Sequence, residues 1–323
     1  MPYRHGRWIR KVFVVTANRH YFDEIEKSGL PGGYGRSSLD QGLPRCWDVF
    51  PRQWQHDASE LPSLWEGTRD FSKERPLGAP RSQRPHLQRK LAMTKILIVL
   101  SAADTWTRAD GSKYESGVWA EEFVVMDEKF IAEGCTVDIA TPAGVAPTID
   151  PHSMNPAVVG QENVDHFDRY LKSIADRLAH PLTLADIDAR QYDAIVIPGG
   201  HGPVEDLYKD ADMGRILAEA DRKGILIAPV CHGQAALLAA RDPKGDWLFA
   251  GRAMTSFSDE EEVELGTADN APWLLADTLR KSGARYEKGP NWGAYVVRDG
   301  NLLTGQNPAS SLPLAEAVLG ALR

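Results

Sequence analysis

Four apolar runs of strand length, separated by helix-like stretches, constrain this chain more than any other feature of it. Ile96–Leu100 holds only Ile, Leu and Val, and Tyr192–Pro198 and Ile225–Val230 are nearly as apolar, with the shorter Val137–Ala140 between them. A strand that is apolar on both faces needs cover on both faces, which is the situation of a central parallel strand. Between the runs, Gly117–Glu133 places Val118, Phe123, Met126, Phe130 and Ile131 near helical spacing and ends at Gly134. Met213–Arg222 and Gln234–Ala240 also read as helices. Strands that alternate with helices predict an α/β fold: a doubly wound, mostly parallel sheet sandwiched by helices. Val145–Gln191 interrupts the rhythm with Pro147, Pro151 and Pro156, then a polar helix, Asn163–Leu178, with Leu171, Ile174, Ala175 and Leu178 on one side. It is expected to be a small cap insertion. Near the end, Asp299-Gly300 predicts a hairpin between Ala294–Arg298 and Asn301–Thr304. Ser311–Leu322 reads as a closing helix with Ser311 as N-cap and Pro313 in its first turn.

This pattern begins only at Met93, and the charge changes there too. Residues 1–92 hold 16 Lys and Arg against 10 Asp and Glu, while the remainder holds 21 against 35. The first segment is rich in Arg, Pro, Gly and Trp, and outside Val12–Val15 shows no sustained period of either kind. Residues 1–92 therefore read as an irregular, disordered extension or a misplaced start, and residues 93–323 as the α/β domain, with 145–191 as its insertion. The net charge of −8 opposes a nucleic-acid partner. No apolar run approaches the roughly 18 residues of a membrane span. Cys46, Cys135 and Cys231 form too sparse a set for a disulfide framework and fit a reducing, cytoplasmic compartment.

Chemistry concentrates where two of the strands end. Val230-Cys231-His232-Gly233 puts a cysteine between a buried strand and the start of a helix, the strand-turn-helix setting of a nucleophile elbow. A helix N-terminus is expected to lower the thiol pKa there, and Gly233 leaves room for close packing. The alternative is a plain buried core thiol. Pro198-Gly199-Gly200-His201-Gly202 closes the preceding strand, and its backbone N–H groups suit an oxyanion. Both turns belong at the carboxyl edge of the sheet, where open α/β folds bind ligands. Glu121 and Glu122 lie early in the first helix, where one of them has the reach to approach Cys231. Asp259-Glu260-Glu261-Glu262 reads by default as a solvated loop. Cys135, at a strand start, reads as structural. His152 and His166 are isolated, so no metal ligands are assigned. No histidine follows His232. A base for Cys231 is therefore His232, His201 or a carboxylate.

Gly117-Val-Trp-Ala-Glu-Glu122, Pro198-Gly-Gly-His-Gly202, Val230-Cys-His-Gly-Gln-Ala-Ala-Leu237 and Asn307-Pro-Ala-Ser310 together resemble the DJ-one/PfpI superfamily, in particular its chaperone-like glyoxalase III branch. The resemblance spans Met93–Arg323 and implies a flavodoxin-like sandwich of the kind shared with class I glutamine amidotransferases. It implies Cys231 as nucleophile, with Glu122, His232 and Glu262 as catalytic partners, Glu261 being the other register for the last. Gly199, Gly200 and His201 would bind the substrate or its oxyanion. It further implies a homodimer that turns a 2-oxoaldehyde such as methylglyoxal into a 2-hydroxy acid without glutathione, metal or organic cofactor. A protein deglycase reaction uses the same thiolate. A stress-responsive holdase chaperone and another cysteine hydrolase or hydratase of the superfamily are the competing readings. Gln234 stands where Pro is frequent in the superfamily, and Ser256 where Gly is frequent.

Overall fold

The computed structural model describes residues Thr94–Arg323; what was read for residues 1–92 lies outside them. The elements are β1 (Lys95–Val99), a hairpin of β2 (Thr105–Thr107) and β3 (Lys113–Glu115), α1 (Ala120–Ala132) and β4 (Thr136–Thr141). Then come α2 (Pro156–Val159), α3 (Gln161–Ser173), α4 (Ala175–Ala179), β5 (Leu182–Thr183) and β6 (Ala194–Ile197). They are followed by α5 (Ala211–Lys223), β7 (Leu226–Pro229), a 3-10 helix (Cys231–Ala239), β8 (Ala253–Met254), α6 (Asp259–Leu265) and α7 (Leu275–Lys281). The chain closes with β9 (Arg285–Tyr286), β10 (Val296–Asp299), β11 (Leu302–Gly305) and α8 (Ser311–Leu322).

The central sheet has seven strands in the order β10-β11-β7-β6-β1-β4-β5. All neighbours are parallel except β10 and β11, which form the hairpin that Asp299-Gly300 predicts. The apolar runs behave as two-faced strands. Leu97, Val99, Ile195, Ile197 and Ile227 point into one core with Ile216 and Leu217 of α5. Ile96, Ile98, Ala194, Val196 and Ala228 point into the other, with Phe123 and Phe130 of α1 and Val318 and Leu319 of α8. Asp210 caps α5 by accepting the Met213 N–H at 2.8 Å, and Gly224 closes it in the left-handed conformation. No helix among the described residues is long and apolar enough to cross a membrane.

Several local expectations shift. The first helix starts at Ala120 and not at Gly117, because Val118 is extended: its N–H bonds Thr148 O at 2.8 Å, and its carbonyl takes Asp150 N–H at 2.9 Å. The Asn163–Leu178 helix is two helices, broken at Ile174, whose φ of −113° and ψ of 16° are not helical. Asp259–Glu262 is the first turn of α6 and no loop. Ser258 and Glu261 form a capping box, each side chain meeting the other's backbone N–H. The N-cap of α8 is Ser310, while the Ser311 hydroxyl turns back to the Pro308 carbonyl at 2.7 Å.

Segment 145–191 adds β5 to the sheet edge beside β4 and lays α3 along α1. The fastening is polar. Asp127 of α1, fully buried, accepts from the Tyr170 hydroxyl at 2.7 Å and from Arg177 at 2.8 and 3.1 Å. Removing the carboxylate leaves a partly buried hydroxyl without its partner, while the partly exposed Arg177 can turn to water. Asp127→Ala is therefore expected to cost about 2 kcal/mol, read as a lower urea midpoint; an unchanged midpoint would show that apolar packing alone holds the insertion.

Candidate active site

Parallel pairing of β6 with β7 ends both strands together: Ile197 faces Pro229, and the Val230 N–H donates to the Ile197 carbonyl at 3.0 Å. The Gly-rich turn after β6 and the cysteine turn after β7 are thereby pressed against each other at the carboxyl edge of the sheet. Contact is close enough to select residue types. A Cβ on Gly233 would fall 2.1 Å from the Ile197 carbonyl oxygen. One on Gly200, whose φ is +84°, would fall 2.2 Å from the Gly117 oxygen.

Cys231 opens the 3-10 helix with φ +60°, a left-handed conformation that costs a side-chain-bearing residue about 1–3 kcal/mol. The Phe257 N–H donates to its carbonyl at 3.1 Å and the Gly233 N–H to that of Val230 at 2.8 Å, which pins the turn on both sides. Gln234, within the same 3-10 helix, donates to the Thr255 and Gly305 carbonyls, each at 2.8 Å. That is its role in place of the more frequent proline: it ties the cysteine turn to the segment before α6 and to β11. The Ser256 hydroxyl bonds the Phe257 carbonyl at 3.0 Å.

The thiol has three polar neighbours. They are the Glu122 carboxyl of α1 and the Gly200 backbone N–H, both of which act on its acidity, and His232 Nδ1, which lies 3.4 Å from Sγ. Glu122 is fully buried. Its Oε2 accepts the Gly199 N–H at 2.6 Å, and Oε1 lacks a well-aligned partner among the described residues. Burial raises the Glu122 pKa to about 8, against the lowering pull of the Cys231 and Gly199 contacts. The thiol moves up as well, not down as a helix N-terminus would have it. Burial is the main cause and the Glu122 charge the next; the Gly200 N–H opposes them. Desolvation outweighs the favourable setting at the helix start.

On the far side of the His232 ring, Nε2 lies 2.5 Å from Glu262 Oε1. Burial lowers the His232 pKa, and His201 adds to this. Burial also pushes Glu262 up, but the two imidazoles, His232 first, outweigh it and hold the carboxyl well below the usual range. An ionised Glu262 takes the Nε2–H of a neutral His232. This leaves the bare Nδ1 toward the sulfur. The Thr267 hydroxyl bonds the other Glu262 oxygen. Glu261, one residue earlier, faces elsewhere: it accepts from Ser258, from the Trp292 N–H at 2.8 Å and from Asn307 Nδ2 at 2.8 Å. The structure thus brings Glu122, Cys231, His232 and Glu262 together and leaves Glu261 as an anchor.

His201 joins them from the Gly-rich turn. Its ring stacks on Trp106 with centroids 4.4 Å apart and lies 4.3 Å from the His232 ring, whose neighbour Phe257 is at 4.7 Å. Its Nε2 sits 3.4 Å from Glu262. Among the described residues, His201, His232 and Glu262 have ligating atoms close enough for one metal ion, a convergence that the sequence reading missed. Trp106, Phe257 and Thr267 were also missed: Trp106 sits in a three-residue strand, and Thr267 follows the Gly266 that ends α6, neither with a periodic signal. Cys135 is buried in the core, where burial lifts its pKa to about 11. His152 stacks on Tyr114 and pairs with Asp150, and His166 pairs with Glu128 at 2.9 Å.

Residues 114–321 match the DJ-1/PfpI family. The chain belongs to this family. Glyoxalase 3 of Candida albicans is 30% identical over 71% of this chain and 98% of its own length. Glutathione-independent glyoxalase HSP31 of Saccharomyces cerevisiae is 31% identical over 72% of this chain and all of its own length. The crystal structure of glyoxalase III from Candida albicans aligns with a TM-score of 0.63 at 30% identity, covering 72% of this chain and 98% of that one. The family match takes in every residue of the site except Trp106.

The electrostatics have a direct consequence. Because the Glu122 charge helps to raise the thiol pKa, Glu122→Gln is expected to lower it and to speed iodoacetamide labelling of Cys231 above pH 8, where the wild-type carboxyl is ionised, read by peptide mass mapping. Labelling that keeps the wild-type pH profile would remove that charge as a cause.

Proposed function

We propose that the chain is a glutathione-independent glyoxalase that converts 2-oxoaldehydes such as methylglyoxal to 2-hydroxy acids on Cys231. The observation that carries this reading is the placement of one sulfur between a carboxyl that holds its proton to about pH 8 and an imidazole nitrogen 3.4 Å away. The similarity to proteins named as glyoxalases supports it.

His232 Nδ1 takes the thiol proton as Sγ adds to the aldehyde carbon, while its Nε2–H stays on Glu262. The imidazolium returns that proton to the new oxyanion, which gives a hemithioacetal. The Gly200 N–H, already aimed at the sulfur, suits the developing oxyanion beside it. Glu122, as carboxylate, removes hydrogen from the carbon bearing sulfur and returns it to the neighbouring carbonyl carbon. The enediol between them passes its hydroxyl proton from the first oxygen to the second, and the result is a 2-hydroxy thioester. Water cleaves the thioester, releases the hydroxy acid and restores the thiol. A base that must next act as an acid works best with a pKa near the working pH, and burial of Glu122 supplies that.

Cys231→Ala is expected to abolish D-lactate formation from methylglyoxal without glutathione, and Glu122→Gln to reduce kcat by roughly 10²–10⁴-fold. The sign of the pH dependence follows from the raised carboxyl: the active form of free enzyme needs Glu122 ionised, so kcat/KM should climb with pH and level off above about 8. The lowered His232 pKa keeps that imidazole neutral through this range. Full activity in either variant would overturn the mechanism, as would a kcat/KM that falls between pH 6 and 8.

A further inference from the structure

The site also contains groups arranged for a different ligand. The geometry points to a divalent-metal site of Zn²⁺ chemistry, made by His201 Nε2, His232 Nε2 and Glu262 Oε1, whose occupation switches off the Cys231 reaction. Two imidazoles and one carboxylate are a donor set that suits Zn²⁺ and leaves a fourth position for water. The three ligating atoms lie within 4.8 Å of one another, with the carboxylate 2.5 Å from one ring and 3.4 Å from the other. Tetrahedral Zn²⁺ places its ligands about 3.3 Å apart, so the set closes on a metal with small rotations.

The surroundings hold the donors in that orientation. Stacking on Trp106 fixes the plane of His201, and packing on Phe257 fixes that of His232. The Thr267 hydroxyl engages the other carboxylate oxygen and leaves Oε1 toward the rings. Such outer partners are what orient metal ligands in general.

The link to regulation rests on the function proposed above and runs through the tautomer of His232. A metal on Nε2 requires that nitrogen's lone pair, so the ring proton moves to Nδ1 and points at Sγ. The nitrogen that accepts the thiol proton is then blocked, and Glu262 is drawn to the metal. The sulfur itself is no ligand, because it faces Nδ1 at 3.4 Å, across the ring from the metal.

Zn²⁺ and Co²⁺ chlorides, added to the metal-free full-length chain, test this by direct binding and not by turnover alone. Equilibrium dialysis should show Zn²⁺ on wild type and, with similar affinity, on Cys231→Ser. Co²⁺ should give visible ligand-field bands without a sulfur charge-transfer band in the near ultraviolet. His201→Gln and, independently, Thr267→Val should weaken binding by roughly tenfold or more. Zn²⁺ should inhibit lactate formation in proportion to occupancy. Absent binding, a sulfur charge-transfer band, loss of binding in Cys231→Ser, or unchanged affinity in both other variants would overturn the site. Full turnover by the zinc-loaded protein would overturn the switch. If the chain forms no lactate yet binds Zn²⁺ as described, the metal site stands and the glyoxalase reading falls.

Discussion

The pairing of two short parallel strands controls everything else at this site. β6 and β7 end opposite each other, so the turns that leave them have to share one patch of the sheet edge. Backbone packs on backbone there, and glycine is required where a Cβ would strike a carbonyl oxygen, as at Gly233 and Gly200. The same crowding holds Cys231 at positive φ and aims the Gly199 and Gly200 N–H groups at a carboxylate and a sulfur. Strain in the cysteine turn persists because neighbouring hydrogen bonds over-determine it. Phe257, which donates to Cys231, and the Thr255 and Gly305 carbonyls that Gln234 reaches belong to other parts of the chain.

Desolvation then sets the chemistry. Glu122 and Cys231 sit so far from water that each prefers its neutral form, and each acts on the acidity of the other. Glu262, equally removed from water, stays ionised because two imidazoles and a hydroxyl surround it. Two carboxylates in one site are thus driven apart in acidity by their partners: one able to hold a proton, the other to fix an imidazole. This separation is the usual physical basis for assigning acid–base roles to a pair of carboxyl groups.

The architecture was legible because each central strand is apolar on both faces, a signal that survives without tertiary information. The hairpin at Asp299-Gly300 and the helices after β1 and β6 were equally plain. Cys231 was legible from its place between a buried strand and a Gly-containing turn, and the positions of Glu122, His232 and Glu262 followed from the motif resemblance. The short 3-10 helix after Cys231 was not, because Ala235–Leu238 is apolar on all sides and shows no period that separates it from an α-helix. The direction of the thiol shift was misread for a different reason: burial depends on what covers the turn, and sequence does not carry that. The capping box at Ser258–Glu261 was present in the sequence but hidden by the acidic run that contains it. The stack of Trp106 on His201 joins segments that only the fold brings together.

The protonation of Glu122 bears most directly on the whole account. The infrared difference spectrum between wild type and Glu122→Gln, followed as pH is raised, isolates this one carboxyl. A protonated carboxyl band at neutral pH that gives way to carboxylate near pH 8 is the result this structure requires. A carboxylate band already complete at neutral pH would contradict it, because burial would then not bring the Glu122 pKa up to the working range.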